Sequence, residues 1–162
     1  MQNFNPQFAK IGDILVHNNV IDESQLNQAL SEQNNSNEKL GTVLIKLGFI
    51  NEQNLLDAYS QQMGYKTINL EEILQADLDV TSTITEDFAK ENNVIPYKKN
   101  ETNIIVVMED PEDLNTLDSI KKLTGLNPEI LIASKSDILS ALETLYDKVK
   151  KSDEVESAIS NI

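Results

Sequence analysis

A chain of 162 residues with 40% hydrophobic residues is long enough to bury a core as one domain or two small ones. The formal net charge of −14 excludes general binding to DNA or RNA, which requires a basic face, and the absence of cysteine excludes disulfides, thiolate metal sites and thiol nucleophiles. No uninterrupted apolar run approaches the length of a membrane span and the first residues lack the features of a signal peptide, so we expect a cytoplasmic protein, with peripheral contact at the inner face of the membrane left open.

Residues 10–62 contain one pattern twice. The segments "KIGDILVHNNVIDESQLNQALSEQ" (10–33) and "KLGTVLIKLGFINEQNLLDAYSQQ" (39–62) are identical at nine of 24 positions without a gap, and five residues separate them. Three of the other pairs exchange one aliphatic residue for another: Ile11/Leu40, Ile14/Val43 and Val16/Ile45. The repetition predicts two equivalent structural units.

Each copy is predicted to form a helical hairpin. We expect the very first helix to begin at Asn5-Pro6, with proline at its first position. The first helix of each copy should end near Asn19 or Gly48, the residue types that most easily take the left-handed conformation.

The second helix of each copy has a stronger start signal. Asp22 and Asn51 are good N-cap residues, and each is followed three positions later by an amide side chain. These helices are expected to run to Gln33 and Gly64. Four short helices in two equivalent pairs result.

Beyond about residue 66 the pattern predicts a different layer. After a connector with a short extended piece and one helical turn, we expect a helix capped by Ser82 or Thr83 and a β-hairpin made of "VIPYKK" and "TNIIVVMED". A helix at 112–124 that stops at Gly125, a third strand "PEILIAS" and a helix "SKSDILSALETLYDKVKK" follow.

The predicted fold class is therefore α+β, with an N-terminal four-helix tandem-repeat subdomain followed by a small α/β subdomain that has a three-stranded sheet. We place the helical ligand-binding subdomain at 1–66, the α/β subdomain at 67–149 and a linker or frayed tail at 150–162.

Gly12 and Gly41 occupy the same place in the two copies, inside an apolar helical pattern where glycine costs about 0.5–1 kcal/mol relative to alanine. One explanation is close packing of two helices. Repetition of a lysine two residues earlier and a glutamine 21 residues later favours another, because an apolar core does not require them. Glycine lets a flat ring lie on the backbone and glutamine both donates and accepts, so a doubled polar set favours a doubled ligand.

This doubled pattern resembles the MshEN-type cyclic di-GMP-binding domain at the N-terminus of type IV pilus assembly and type II secretion ATPases. That family's motif is arginine-leucine-glycine, followed by leucine, glycine, leucine, leucine and glutamine at steps of three, four, seven, four and three. It occurs twice with a five-residue spacer. The later text "VIPYKK…IIVVMEDPEDL…LTG" is also similar to the family, so the resemblance covers nearly the whole chain.

The resemblance implies two sets of ligand-binding residues, one for each half of a two-fold ligand. The first set is Lys10, Ile11, Gly12, Leu15, Asn19, Leu26, Leu30 and Gln33, and the second is Lys39, Leu40, Gly41, Leu44, Gly48, Leu55, Tyr59 and Gln62. Asp110 is a further candidate that either accepts from a guanine edge or caps the helix beginning at Pro111.

This chain departs from the family pattern at its basic positions. All thirteen basic residues are lysines, so Lys10 and Lys39 stand where the family has arginine, and a bidentate fork is replaced by a single ammonium. Either binding is weaker than in arginine-bearing members or the lysines contact the phosphates instead. Asn19 replaces a glycine and Tyr59 replaces a leucine.

The five glycines nowhere fit the G-x-x-x-x-G-K-[ST] loop of a nucleoside triphosphatase, so this chain is not expected to be an enzyme by itself and requires no cofactor or metal. His17 is expected to face solvent. The resemblance implies as partners cyclic di-GMP, an ATPase motor on the same full-length chain and an inner-membrane platform protein. It implies a hexameric motor and a monomeric isolated module. The alternative is a protein-docking module for the platform without nucleotide binding; a nucleotide-processing enzyme is disfavoured.

Overall fold

The chain folds into two units, one up to Tyr65 and one from Lys66. The computed structural model describes residues 4–160, with side chains described up to residue 154. Residues 1–3 of the predicted first segment and 161–162 of the predicted last one lie outside the described residues.

The first unit contains a short 3-10 helix, Pro6–Phe8, followed by four α-helices. These are α1 (Ile11–His17), α2 (Glu23–Asn34), α3 (Leu40–Lys46) and α4 (Glu52–Met63). Each repeat supplies one pair of helices. Their apolar faces form one core, made of Ile14, Leu15, Ile21, Ala29, Val43, Leu44, Ile50 and Ala58.

The predicted helix boundaries inside the repeats follow from local chemistry. Asp22 and Asn51 each accept from the backbone N–H three residues on and complete a reciprocal capping box. Asn19 and Gly48 adopt positive φ, 60° and 78°, in the turns between the paired helices.

A helix begins at Asn5-Pro6 as expected, but it is a three-residue 3-10 helix separate from α1. Asn5 accepts from the N–H of Gln7 and caps the 3-10 helix, not α1. The backbone is extended at Ala9 and Lys10, and this separates the 3-10 helix from α1.

The second unit is a four-stranded sheet with helices. Its strands are β1 (Lys66–Thr67), β2 (Val94–Lys99), β3 (Asn103–Met108) and β4 (Asn127–Ile132), in the order β1-β4-β3-β2. The hairpin β2–β3 is antiparallel, with a register shift between Pro96 and Lys98, and the other pairs are parallel. The predicted three-stranded sheet lacked β1, whose two residues pair with the end of β4.

The helices of this unit differ from the prediction in number and length. They are α5 (Leu70–Ile73), α6 (Leu78–Thr81), α7 (Glu86–Asn92), α8 (Leu114–Thr124) and α9 (Lys135–Ser160). α9 continues to Ser160, past the predicted start of the tail at residue 150.

The single helix expected after Ser82 or Thr83 is present as α7, but it begins later, at Glu86, and a separate short helix, α6, ends before Ser82. Asp77 caps α6, and Thr85 caps α7 by accepting from the N–H of Phe88. Ser82 and Thr83 lie in the turn between them. The hydroxyl of Thr81, at the end of α6, donates to the carbonyl of Pro96 over 2.9 Å, a tertiary contact that the local sequence does not reveal.

Two polar contacts hold α9 to the neighbouring α6–α7 segment. The buried hydroxyl of Tyr146 lies 2.8 Å from the carbonyl of Ile84, and burial raises the pKa of Tyr146 to about 12. Lys150 and Lys90 both contact the carboxylate of Glu86, and the hydrogen bond from Lys150 is the main cause of its lowered pKa.

Within residues 4–160 we find no helix that is both long and apolar enough to cross a membrane. Among the described side chains, which end at residue 154, no three histidine or carboxylate groups converge in an arrangement suited to a metal ion.

Candidate ligand-binding site

The repeated glutamines connect each repeat to the start of the other. The Nε2 amide of Gln33, at the end of α2, donates to the carbonyl of Glu38 over 3.2 Å. The Nε2 amide of Gln62, at the end of α4, donates to the carbonyl of Ala9 over 2.9 Å. Glu38 and Ala9 are equivalent positions, each directly before the lysine of a repeat. The two bonds are therefore one contact made twice.

The helices of the two repeats also pack against each other. α1 packs against α4 and α2 packs against α3, so the first helix of each repeat lies beside the second helix of the other. The sequence prediction grouped each glutamine with the lysine of its own repeat. The structure instead brings Gln62 to the Lys10 end and Gln33 to the Lys39 end.

We name these two places the first half-site and the second half-site. The first half-site is the start of α1 with the end of α4, and it contains Lys10, Ile11, Gly12, Tyr59 and Gln62. The second half-site is the start of α3 with the end of α2, and it contains Lys39, Leu40, Gly41, Leu30 and Gln33. Tyr59 precedes Gln62 by three residues and Leu30 precedes Gln33 by three, so each pair shares one helix face.

The repeated glycines meet leucine side chains of their own repeat. A Cβ atom at Gly12 would lie 2.6 Å from Cδ1 of Leu26, and one at Gly41 would lie 2.7 Å and 2.8 Å from the two Cδ atoms of Leu55. Such distances are shorter than any real Cβ contact, so a side chain at either position forces a shift. Each glycine therefore has the end of a leucine side chain packed directly on it, which supports the helix-packing explanation for both positions.

The structure separates the other candidates by accessibility. Leu15 and Leu44 are 1% and 0% exposed and belong to the core of the repeats. Asn19 and Gly48 are exposed, and their positive φ accounts for their residue types as turn formers. Leu26 and Leu55 are half-buried against the glycines.

The remaining candidates offer surface to a ligand. Lys10, Lys39 and Leu30 are exposed, and a second group is half-buried: Ile11, Leu40, Tyr59, Gln33 and Gln62. Lys10 and Lys39 are the N-cap residues of α1 and α3, with near-identical backbone angles, and neither side chain caps its helix. An ammonium has no acceptor for a helix N–H, so both side chains extend from equivalent places without a capping role.

Asp110 lies in the second unit, two residues after β3. Its carboxylate Oδ1 accepts from the N–H of Glu112 over 3.0 Å, in the turn before α8. The N-cap of α8 is Asp113, so the expected helix start at Pro111 is wrong by three residues. The carboxylate of Asp110 thus stabilises the turn that leads into α8. That Asp110 accepts a hydrogen bond from a guanine stays a prediction.

His17 is exposed and its ring stacks on Phe4 with 3.8 Å between centroids. The equivalent residue, Lys46, instead forms an ion pair with Glu38, with 2.6 Å between Nζ and Oε1. These positions at the ends of α1 and α3 therefore differ between the copies.

Sequence reasoning missed the acceptors of the glutamines, because they are backbone carbonyls and carry no residue signature. It also missed Phe8, which is 88% exposed directly before Ala9. The only available signal was that an aromatic residue stands two positions before the first lysine, where the second copy has Asn37.

Comparison with known proteins adds independent information. The MshEN domain model matches residues 63–152, which includes most of the second unit and leaves the repeats outside the matched region. The type IV pilus assembly ATPase PilB of Myxococcus xanthus is 34% identical over 137 residues, which is 85% of this chain and 24% of that protein. PilB of Thermus thermophilus is 26% identical over 127 residues, 75% of this chain and 14% of that protein. The chain thus spans about a quarter or less of these relatives.

Solved structures share the fold. MshE, in a structure with cyclic di-GMP, superposes with a TM-score of 0.76 at 29% identity and covers 85% of this chain and 99% of that one. The N-terminal domain of XpsE gives 0.69 at 18% identity, covering 88% and 97%, which shows the fold alone. These matches confirm the predicted α+β class with N-terminal helices and a small sheet. Because the family model matches more than half of its residues, the chain belongs to the MshEN domain family.

Proposed function

We propose that the tandem repeats bind one molecule of cyclic di-GMP and that the chain is a non-catalytic regulatory module of a type IV pilus assembly ATPase or a related secretion ATPase. The observation that carries this proposal is the exchanged glutamine contact. It creates two equivalent half-sites within one unit, each built from both repeats. Cyclic di-GMP has two guanines and two phosphates related by two-fold symmetry, so each half of the ligand meets one lysine and one glutamine in equivalent places.

Each half-site has groups suited to one guanosine phosphate. Lys10 and Lys39 are exposed ammonium groups that can neutralise the phosphates. Gln33 and Gln62 use one amide proton for the carbonyl of the other repeat and keep a second proton and an acceptor oxygen for a base edge. Leu40 and Ile11 add apolar surface beside them. The likeness to MshE, whose structure contains cyclic di-GMP, supports this assignment.

Charge does not attract the ligand from a distance. Residues 10–62 contain three lysines and seven carboxylates, and one of these lysines, Lys46, is paired with Glu38. Binding must therefore depend on short-range hydrogen bonds, stacking and the two N-cap lysines. A dianionic ligand will bind with only a modest dependence on salt, because screening weakens the local attraction and the surrounding repulsion together.

The two PilB relatives are about four and seven times as long as their segments that match this chain, so we assign the ATPase motor to another part of a longer chain. In this proposal, 1–66 binds the ligand, 67–149 forms the α/β subdomain, and 150–162 leads toward the motor, with helical structure as far as Ser160. The ligand regulates the motor only if it binds one arrangement of module and motor more tightly than another. The inner-membrane platform protein remains a proposed partner, with a hexameric motor and a monomeric isolated module.

Titration calorimetry of the purified chain with cyclic di-GMP tests the proposal. We expect one ligand per chain. Replacing either glutamine, as Gln33→Met or Gln62→Met, should weaken binding roughly tenfold, since a hydrogen-bonding group at a polar ligand edge contributes about 1–2 kcal/mol. The matched control is Gln28→Met on the exposed face of α2. Absence of binding by the wild-type chain at high micromolar ligand refutes the nucleotide proposal and favours the docking module.

A further inference from the structure

The two half-sites differ in their aromatic content. In the first half-site the helix face that bears Gln62 also bears Tyr59, and the 3-10 helix that ends at Phe8 packs against the same helix, α4. The equivalent positions of the second repeat are Leu30 and Asn37. The first half-site therefore has one aromatic ring, Tyr59, and a second ring two residues before its lysine, at positions where the second repeat has an aliphatic and an amide side chain.

The exposure of Phe8 does not by itself indicate a binding role, because single exposed apolar residues are common on protein surfaces. Its position is the informative feature. Phe8 directly precedes Ala9, and the carbonyl of Ala9 accepts from Gln62. Phe8 is 88% exposed while the backbone around it is held by hydrogen bonds on both sides.

The 3-10 helix fixes the backbone that presents this ring. Asn5 caps it, Pro6 occupies its first position, and the N–H groups of Phe8 and Ala9 donate to the carbonyls of Asn5 and Pro6. The second repeat has no equivalent helix before Lys39, since residues 35–38 contain no regular element. An ordered turn that leaves a ring exposed to solvent, one residue before the carbonyl that Gln62 contacts, is suited to a base that arrives from solution.

We infer that Phe8, with Tyr59, makes the first half-site a purine-stacking half-site, so that this half-site dominates the affinity and holds its guanine more tightly than the second. The inference rests on the proposed function and deepens it. Base–aromatic stacking tolerates any purine, because every purine has a π-face. Phe8 thus contributes affinity, while Gln62 contributes the hydrogen bonds that distinguish one purine from another.

Calorimetry with cyclic di-GMP on wild-type chain and three variants tests the inference. Phe8→Ala should weaken binding about tenfold, since one base–aromatic stack contributes about 1–3 kcal/mol. Phe8→Tyr keeps the ring and should stay within about twofold of wild type. Asn37→Ala, at the equivalent position of the second repeat, is the matched control and should also stay within about twofold, because no stack is lost.

A second readout reports stacking directly. A cyclic dinucleotide with one 2-aminopurine in place of guanine should lose fluorescence on binding to wild type and retain more of it with Phe8→Ala. The melting temperature of Phe8→Ala should match wild type, because the side chain is exposed.

The outcomes distinguish failure of the stacking inference from failure of the proposed function. If wild type binds and Phe8→Ala binds equally well, the stacking inference is wrong while the proposed function stands. An equal loss in Asn37→Ala would also refute it, since the half-sites would then be equivalent. If wild type does not bind, the proposed function fails and the inference fails with it.

Discussion

Gly41→Ala tests whether helix packing explains the repeated glycines. An alanine Cβ would lie 2.7 Å and 2.8 Å from the Cδ atoms of Leu55 and 3.3 Å from its Cγ, so the whole end of that side chain must move. Overpacking of this kind costs about 1–3 kcal/mol, and removing a helical glycine returns about 0.5–1 kcal/mol. We expect the free energy of unfolding to fall by about 1 kcal/mol.

A double-mutant cycle isolates the contact. Leu55→Val shortens the side chain that opposes the new methyl group and should cost about 1 kcal/mol alone. In the presence of Gly41→Ala that cost should largely vanish, giving a coupling energy near 1 kcal/mol. Urea denaturation followed by circular dichroism measures all four corners of the cycle.

Thr42→Ala is the matched control, because Thr42 is exposed in the same helix. Its effect should stay within about 0.5 kcal/mol. If Gly41→Ala is as stable as wild type and shows no coupling with Leu55→Val, the leucine does not rest on the glycine and the packing explanation is wrong. If Gly41→Ala destabilises the fold, then loss of ligand binding in a variant with a larger residue at Gly41 does not by itself show where the ligand binds.

Three further predictions concern named groups. Tyr146→Phe should lower the free energy of unfolding by about 1 kcal/mol near neutral pH, since it removes a buried hydrogen bond. Burial raises the pKa of Tyr146 to about 12, so the phenol ionises at lower pH in the unfolded chain than in the folded one. The wild type should therefore lose stability from pH 10 to 12, and Tyr146→Phe should lose less. Denaturation of both proteins at pH 9 and pH 11 measures the difference. Lys150→Met should raise the pKa of Glu86 toward its ordinary value, because the main hydrogen bond that lowers it is gone; a carboxylate titration by NMR that shows no change would contradict this. Replacing Lys10 and Lys39 together by arginine should leave cyclic di-GMP affinity equal or higher by calorimetry, and a large loss would mean that the compact ammonium is required.

The local features of the repeats could be predicted because they depend on residues close in sequence. Asp22 and Asn51 form capping boxes with residues three positions on, and Asn19 and Gly48 take positive φ as their residue types indicate. The β-hairpin was predicted for a similar reason, since a continuous β-branched run indicates a buried strand.

Features set by distant contacts could not be predicted in this way. α6 has only four residues, and its last residue, Thr81, is tied to Pro96. β1 has two residues and exists through its pairing with β4. The packing partners of Gly12 and Gly41 also depend on how helices meet, so the sequence left packing and ligand binding as alternatives.

The exchange of glutamines between the repeats gives the tandem arrangement a physical reason. Gln33 reaches its acceptor across five residues of chain, whereas Gln62 reaches the chemically equivalent acceptor across 53. The first bond is local and the second requires both hairpins to pack together, so a single repeat contains no complete half-site. Since each half-site is completed by the other repeat, a ligand that bridges both half-sites favours the packed pair over separated hairpins. In the proposed complex, the two-fold ligand and the paired repeats therefore depend on the same contact between the repeats.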